Sequence, residues 1–398
     1  MRPWLGPEEA SAAAAAVSSG WVAQGPRVAD FEQAFAAAIG APHAVALSSC
    51  TAALHLALIA AGIGPGDEVI VPSLSFIATA NAARYVGAQP VFADVDPVTL
   101  NLTPATVGPH LTSRTRAVIL VDQAGVPADL DSMQAICEPR AIAVVEDAAC
   151  AAGSVYRGRP VGARASLAAF SFHPRKVITT GEGGMLVTPD GAVAARLRRL
   201  REHGMDVSAA QRHASRQPVI EHYLEVGFNY RMTDVQAAIG LVQLGKLERV
   251  VARRRDLARR YQELLAEIPG LTTITDPAHG TTNYQSFWIV LPPGFPVSRN
   301  ALLGLLADEG VAARRGVMAA HTEPAYARPD GRPGARLPVT ERLAASSLIL
   351  PLFHELTEAE QDHVVSVIRR AACRSGPAVG DPAVSDPAAA GRSAHRAR

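Results

Sequence analysis

Short apolar segments alternate with helix-like segments over the first half of the chain. The predicted strands are four to six residues long and apolar on both faces, which is typical of strands buried in a parallel sheet. Strands joined by crossover helices predict an α/β fold with a mainly parallel sheet and helices on both faces. The predicted strands are Ala44–Leu47, Glu68–Val71, Gln89–Ala93, Ala117–Val121, Ile142–Glu146, Leu167–Phe172 and Met185–Thr188, and the predicted helices are Thr51–Ala61, Ile77–Val86 and Asp129–Cys137.

From about residue 192 the pattern changes to longer helices and then to a mixture of strands and helices. We predict a large domain over residues 1–250, a smaller α+β domain over residues 251–374, and packing of the N-terminal segment against the small domain. Residues 375–398 are rich in Ala, Gly, Pro and Ser, and we predict a disordered tail there. The elements predicted in this half are the helices Val235–Leu264, Asn300–Asp308 and Glu358–Cys373 and the strands Thr272–Thr275 and Ser286–Leu291.

Composition excludes several classes of protein. Lys+Arg is 38 and Asp+Glu is 37, and this balance argues against a nucleic-acid binder. The hydrophobic fraction of 48% argues against a disordered polyelectrolyte. We find no secretory signal and no apolar run of the roughly 20 residues that span a bilayer, so we expect a cytoplasmic protein. The cysteines are scattered without a CxxC pair, and we assign neither a disulfide framework nor a metal; they are Cys50, Cys137, Cys150 and Cys373.

The most informative segment runs from a predicted strand into Lys176 and then through a glycine-rich turn, Gly181–Gly184, into the next strand. A lysine just past a strand end, beside small residues, can lie inside a pocket. Desolvation there would lower the pKa of its amine and make the amine a nucleophile toward a carbonyl carbon. The alternative is a surface lysine beside a β-turn, and the segment alone leaves both readings open.

Two other strand ends carry polar groups. Asp147 ends an apolar strand, where a carboxylate can meet a cationic ligand such as a pyridinium nitrogen; the alternative is a helix N-cap. Thr51 follows Ser48 and Ser49 at the start of a predicted helix, where free N–H groups and hydroxyls suit a phosphate. The alternative there is a capped helix that binds nothing.

Together these groups suit one cofactor. A phosphate site, a carboxylate for a ring nitrogen and a reactive lysine are parts that a pyridoxal phosphate (PLP) enzyme needs, and Phe76 offers an aromatic ring for stacking. Taken alone, Phe76 would be interpreted as a core residue. The chain has no GxxxxGK[ST] motif and no GxGxxG after the first strand, which argues against a Walker-type site and weakens a dinucleotide-binding interpretation.

Over nearly its whole length up to the tail, the chain resembles the DegT/StrS-type sugar aminotransferases, PLP enzymes with the aspartate-aminotransferase fold. The resemblance implies fold type I, with a mainly parallel, seven-stranded-type sheet and a smaller α+β domain. Several segments carry it in the family's order: Gly20–Pro26, Ser48–Leu56, Val71–Thr79, Pro90–Asp96, Glu146–Ala149, Ser171–Gly184, Gly227–Asp234 and Gln236–Gly240.

The resemblance implies cofactor contacts at matching positions. Lys176 matches the lysine of the internal aldimine, and Asp147 matches the partner of the pyridinium nitrogen. Asn229 matches a residue that reaches the phosphate from the neighbouring subunit, which implies a homodimer with shared active sites. The other cofactor contacts it implies are Phe76 at the ring and Thr51, the backbone of Ala52 and Ser171 at the phosphate.

The chain departs from the family at Cys150, where relatives often have His or Gln that can contact the cofactor. A thiol is a poorer donor than an amide or an imidazole, so the cofactor contact changes there. For the substrate we expect His173, Arg315 and His321, which resembles a substrate-site histidine but would otherwise be interpreted as a loop residue. Arg315 or its neighbour Arg314 could bind a diphosphate or a donor carboxylate, because Arg suits bidentate anion binding; the alternative for both is a place on the surface.

The implied reaction is a ping-pong transamination through the Lys176 aldimine, with glutamate as donor by family analogy and a nucleotide-linked keto-deoxysugar as acceptor. The segment His173–Lys176 followed by Ile178–Gly184 resembles enzymes that act on 4-keto sugars. Three alternatives stay open: a keto-cyclitol acceptor, a non-catalytic regulator that binds PLP or a sugar nucleotide, and a dehydratase or racemase. Related dehydratases replace the lysine by histidine, so Lys176 favours transamination.

Overall fold

All nine strands predicted from the sequence form in the computed structural model, with ends that differ by at most two residues. The structure describes residues 3–208, 212, 215, 217–326 and 336–374, so the predicted tail lies outside the described residues. The strands are β1 His43–Leu47, β2 Glu68–Pro72, β3 Gln89–Ala93, β4 Thr115–Val121, β5 Ala143–Asp147, β6 Val155–Tyr156, β7 Arg159–Pro160, β8 Leu167–Ser171, β9 Gly184–Thr188, β10 Thr272–Thr273, β11 Gly280–Thr281, β12 Phe287–Val290, β13 Arg314–Arg315 and β14 Ser347–Leu350.

The predicted helices also form, and the sequence analysis missed four others: the first two helices of the chain, Pro104–Val107 and Pro338–Ser346. The second helix of the chain carries an apolar stripe at helical spacing, with Phe31 and Phe35 fully buried, so the pattern was present in the sequence. The α-helices among the described residues are α1 Pro7–Ser18, α2 Pro26–Ile39, α3 Cys50–Ala60, α4 Ala78–Tyr85, α5 Pro104–Val107, α6 Leu130–Cys137, α7 Gly191–Leu200, α8 Asp234–Leu265, α9 Arg299–Asp308, α10 Pro338–Ser346 and α11 Glu358–Ala372.

The main sheet has seven strands in the order β1-β9-β8-β5-β4-β2-β3. Only β9 runs antiparallel to its neighbours, so the prediction of a mainly parallel sheet is confirmed. The register brings Leu47, Ser171 and Gly184 to the same edge, where β1 and β8 end and β9 begins. Ligands of open α/β sheets bind at this carboxyl edge of the parallel strands.

Helices cover both faces of this sheet. On one face α2 and α8 contribute to a core that includes Phe35 packed edge-on against Phe170, with ring centroids 5.0 Å apart. On the other face α3 and α7 pack their buried leucines, such as Leu56 and Leu197, against the strands. Burial on both faces explains why these strands read as continuous apolar runs in the sequence.

The remainder of the chain builds a smaller antiparallel sheet in the order β10-β12-β14-β13, with α9 and α11 packed together beside it. The predicted boundary after residue 250 lies inside α8, and its position stays a prediction. Trp4 stacks on His354 at 3.8 Å between ring centroids, while Glu9 contacts Gln243 and Lys246 on α8, so packing of the N-terminal segment on a small domain stays a prediction. Within the described residues, no helix is both long and apolar enough to cross a membrane.

Candidate active site

Lys176 lies at the carboxyl edge of the sheet, in the turn that follows β8. Its backbone N–H donates to the His173 carbonyl at 2.8 Å, which closes the turn, and its Nζ lies 3.1 Å from Cys150 Sγ. The alternative of a lysine standing free at the surface is therefore wrong, because the side chain points inward to a thiol on the neighbouring strand end.

The charge state of Lys176 differs from the expectation. Burial acts to lower the pKa of Lys176, but Cys150, Cys50 and Asp147 outweigh that effect and raise its pKa above the ordinary value. The prediction of a lowered pKa is wrong for the chain alone, because desolvation was the only effect that the sequence made visible. The amine is thus protonated at neutral pH and has to lose a proton before it can act as a nucleophile.

Asp147 ends β5 and is buried beside Lys176. Thr79 donates its hydroxyl to Asp147 Oδ2 at 2.9 Å, and the Ala149 N–H donates to Oδ1 at 3.2 Å. The Thr79 hydroxyl in turn lies 2.9 Å from that of Ser75. Burial raises the pKa of Asp147, while Thr79, Lys176 and the Ala149 N–H act in the opposite direction. No described helix begins directly after Asp147, so the N-cap reading is wrong.

The start of α3 lies against the start of β9 because a glycine permits it. A Cβ on Gly184 would collide with the backbone of Ser49 and Cys50, so only glycine lets the helix start approach the strand edge this closely. Gly184 pairs with Ser171 in the sheet, and this contact places the α3 start and the Ser171 hydroxyl on one side of the site.

The cap of α3 changes one expected phosphate contact. Ser49 Oγ accepts the Ala52 N–H at 3.1 Å, so Ser49 caps α3 and this N–H already has a partner. A phosphate at the helix start would have to displace that hydroxyl, or be held by the N–H and hydroxyl of Thr51. Ser171 stays available through its hydroxyl proton, since its oxygen accepts only a long contact of 3.4 Å from the His173 N–H.

Phe76 is not a core residue: its side chain is 62% exposed. It lies in the segment between β2 and α4, and its carbonyl accepts the Thr79 N–H at 3.1 Å. The ring is therefore anchored next to the residue that holds Asp147. An exposed aromatic ring beside a buried carboxylate suits a flat ligand that stacks on one and hydrogen-bonds the other.

These groups fit PLP. The buried Asp147 carboxylate has lone pairs left for a ring N–H, the α3 start and Ser171 offer a phosphate cradle, and Lys176 supplies the amine. Cys150, the position at which the chain departs from the family, lies directly against the Lys176 amine. A thiol therefore replaces the larger His or Gln side chain where the resemblance expects a cofactor contact.

Asn229 lies elsewhere on this subunit. Asn229 is exposed and forms an isolated β-bridge with Glu202 outside the main sheet. None of the hydrogen bonds described connects its side chain with Lys176, Asp147 or Ser171. A role at the phosphate of its own subunit has no support in these contacts. The expectation that Asn229 serves a neighbouring subunit stays a prediction.

The two expected substrate histidines have different surroundings. His321 is buried, with Nδ1 2.6 Å from Ser73 Oγ and Nε2 3.5 Å from Glu341, so both ring nitrogens already have partners. His173 is half exposed beside the Lys176 turn, and its Nδ1 accepts the Arg175 N–H at 3.2 Å. Of the two, His173 keeps a ring nitrogen, Nε2, that has only a distant contact, Glu182 at 4.0 Å.

The two candidate arginines follow each other on β13, so their side chains point to opposite faces of the smaller sheet. Arg314 is half-buried and its Nη2 lies 3.4 Å from Ser286 Oγ, on the side of the site. Arg315 is exposed on the other face. After burial, the largest influences on the pKa of Arg314 come from Arg175 and Cys150, the neighbours of Lys176 in sequence and in space, so Arg314 lies nearer to the site than the exposed Arg315.

Comparison with known proteins identifies the family of this chain. The model of the DegT/DnrJ/EryC1/StrS aminotransferase family matches residues 3–369. The chain belongs to this family. Members of the DegT/DnrJ/EryC1/StrS family are PLP-dependent aminotransferases, so the predictions of family, enzyme class and cofactor are confirmed.

Solved structures agree with this assignment and confirm fold type I. The aminotransferase TlmJ from Streptoalloteichus hindustanus is 36% identical, with a TM-score of 0.84 over 93% of this chain and 97% of TlmJ. DesV from S. venezuelae is 35% identical, with a TM-score of 0.84 over 93% of this chain and 95% of DesV. A Streptococcus pneumoniae protein described as a sugar aminotransferase, in its PLP form, is 26% identical with a TM-score of 0.85, over 93% and 97% of the two chains.

Sequence reasoning missed several residues that support this DegT/DnrJ/EryC1/StrS site. Thr79 lies four residues after Ser75 in a segment that was singled out, and two hydroxyls at helical spacing beside a strand end were the available signal. Asn283 and Gln285 come from the smaller part of the chain and hold the backbone of Cys150 and Arg175. The one signal in the sequence was that both lie in a polar segment directly before β12.

Proposed function

We propose that this enzyme transfers the amino group of glutamate to the 4-keto group of a nucleotide-linked deoxysugar in two half-reactions. The observation that carries the proposal is the placement of Lys176 and Asp147, which lie at one sheet edge and influence each other's pKa. Family membership and the pneumococcal relative described as a sugar aminotransferase support a sugar acceptor.

When bound, PLP supplies an aldehyde that condenses with amines and a ring that withdraws electrons. In the proposed mechanism Asp147 would hold the proton on the ring nitrogen, and its Thr79 and Ala149 contacts keep the carboxylate in place. A positive charge on the ring nitrogen would also stabilise the Asp147 carboxylate, and so offset the effect of burial, which raises the pKa of Asp147.

Lys176 would carry out the second proton transfer. Its amine, which lies at the sheet edge beside Cys150, would take the proton from the donor's α-carbon and return it to the C4′ carbon of the cofactor. The pKa of Lys176 is raised in the chain alone, and the positive charge of a bound cofactor ring would act to lower it.

We infer that the enzyme works as a homodimer with shared sites. Asn229 is exposed on its own subunit and follows an exposed apolar segment that includes Tyr223, Leu224 and Val226. Apolar residues of this kind belong to surfaces that are covered by a partner. A second copy that covers the segment would bring Asn229 to the neighbouring phosphate, beside Thr51 and Ser171.

For the acceptor we retain His173 and His321 as substrate residues. His173 would contact the sugar through Nε2, while His321, held by Ser73 and Glu341, would shape the wall of the site. All four cysteines are free thiols, which suits the cytoplasmic location that we propose.

The experiment is incubation of the PLP-loaded enzyme with glutamate and a panel of nucleotide-linked 3-keto and 4-keto deoxysugars and keto-cyclitols, with NMR of the products. We expect an amino sugar with nitrogen at C4 and stoichiometric 2-oxoglutarate. Amination of a cyclitol would replace the proposed acceptor. Binding of PLP and sugar nucleotide without any exchange of nitrogen would contradict an enzymatic role, and a dehydrated or epimerised product would contradict transamination.

A further inference from the structure

Arg314 comes from the smaller sheet and contacts Ser286, which is hydrogen-bonded to the segment that follows β4 of the main sheet. Its Nη2 lies 3.4 Å from Ser286 Oγ, and the Ser286 N–H donates to the Ala124 carbonyl at 3.4 Å. Ser286 is buried, and β13 pairs with β14 through Arg314 and Ile349, so the arginine is held on a strand rather than on a free loop.

A chain of hydrogen bonds connects this arginine with the backbone of Arg175, and Asn283 in the same segment holds Cys150, whose thiol contacts the Lys176 amine. Ser286 donates to Gln285 Oε1 at 3.1 Å, and Gln285 Nε2 donates to the Arg175 carbonyl at 2.7 Å, one residue before the lysine. Asn283 Nδ2 donates to the Cys150 carbonyl at 2.9 Å. The segment 283–286 therefore fixes the position of Arg314 relative to the reacting lysine.

The guanidinium of Arg314 is charged, half-buried and without a carboxylate partner among the described residues. Burial, and next the nearby Arg175, lower the pKa of Arg314. Other arginines of the smaller part are satisfied: Arg254 donates to the Tyr284 and Gln285 carbonyls, and Arg255 pairs with Asp276 at 2.8 Å. A buried cation with free donors is costly unless an anion completes it.

We propose that Arg314 binds the α-carboxylate of the amino donor and so decides which amines the enzyme accepts. This inference rests on the proposed function, because it gives the arginine a role in the first half-reaction. The five donors of a guanidinium fit a carboxylate in a bidentate manner, and only one of them has a described contact here.

The location favours a carboxylate over a diphosphate. In an amino acid the α-carboxylate is bonded directly to the carbon that reacts, so its cation must lie beside the lysine. In a 4-keto sugar nucleotide the diphosphate is attached at C1, on the opposite side of the sugar ring from C4. Arg314, tied through the segment 283–286 to Cys150 and Arg175, lies on the lysine's side.

The test compares PLP-loaded wild type with Arg314→Gln, Arg314→Lys and Arg315→Gln, with the exposed Arg259→Gln as a control for loss of surface charge. Calorimetry measures the dissociation constants of glutarate, an unreactive dicarboxylate, and of thymidine and uridine diphosphate. We expect Arg314→Gln to weaken glutarate binding by about 10- to 100-fold, with KM for glutamate rising to match and diphosphate binding within about twofold of wild type. Arg314→Lys, which keeps the charge but loses the fork, should fall between wild type and Arg314→Gln.

Glutarate binding that is unchanged in Arg314→Gln and Arg314→Lys, or absent from wild type, overturns the inference. So does an equal loss in Arg315→Gln, or a larger loss for the diphosphates than for glutarate. The proposed function fails separately: if wild type shows Arg314-dependent glutarate binding but exchanges no nitrogen with any amino acid, the carboxylate site stands and the transamination does not.

Discussion

Glu146 and Asp147 are neighbouring carboxyl groups on β5, equally buried, and they lie in opposite environments. Asp147 faces the site, where a hydroxyl, an N–H and the Lys176 amine support its negative charge. Glu146 points to the other face, where the Gly162 N–H contacts it and burial raises its pKa to about 7. Its Oε2, like Oδ2 of the nearby Asp122, has no hydrogen-bond partner among the described residues.

The difference shows what makes one carboxyl a functional group and the next a structural one. Both are removed from water, which disfavours the charged form of each. Hydrogen-bond donors stabilise the negative charge of Asp147, so its carboxylate can pair with a cation. Glu146 has fewer donors, and its raised pKa favours the neutral, protonated form. The pleat of a strand, which points successive side chains to opposite faces, is sufficient to separate these two roles.

The largest effect that this comparison predicts is the loss of catalysis in Asp147→Asn. An amide can accept the Thr79 hydroxyl but cannot stabilise a proton on the ring nitrogen, so kcat should fall by about 10²- to 10³-fold, the range for removal of one preorganised electrostatic partner. The thermal midpoint should stay at or above that of wild type, because burial disfavours the charged form of Asp147 and the amide carries no charge. Kinetics with glutamate and calorimetry check both. A variant that is as active as wild type would break the distinction between the two carboxyls.

The second prediction is smaller and concerns stability. Because the folded pKa of Glu146 is about 7 against an ordinary 4.5, the folded state holds a proton that the unfolded state has lost between these values. Its contribution to stability therefore falls as pH rises from about 4.5 to 7 and is constant above that.

Glu146→Gln removes this titration and supplies an amide that can donate to Asp122. We expect its melting temperature to match wild type near pH 5 and to exceed it by about a few degrees at pH 8, with kcat within about threefold. Melting curves across this pH range measure the difference. Parallel pH profiles for wild type and Glu146→Gln would show that Glu146 does not hold the proton in the folded state.

Most of the fold was predictable because the signals were local. Apolar runs in the sequence predicted β2 to β5. The ends of the predicted strands and of one helix then placed Lys176, Asp147 and Thr51 at one edge of the sheet. The parts that were missed depend on contacts between distant residues. The pKa of Lys176 depends on thiols brought in from two other elements, and the choice between Arg314 and Arg315 depends on the register of a two-residue strand.

The central claim is that Lys176 carries the cofactor, and the chain offers a clean test because it contains only two lysines, Lys176 and Lys246. Lys246 pairs with Glu8 at 2.8 Å and Glu9 at 2.6 Å beside α1. It is therefore the matched control, a lysine that is tied up by carboxylates.

The measurement is borohydride reduction of the PLP-loaded enzyme, followed by peptide mapping of the lysine that retains the cofactor. We predict that the mass of reduced PLP is found on Lys176 alone, that Lys176→Ala loses both this label and the visible absorption of the cofactor, and that Lys246→Ala keeps both. A label on Lys246, or no covalent label in wild type that has taken up PLP, would contradict the account.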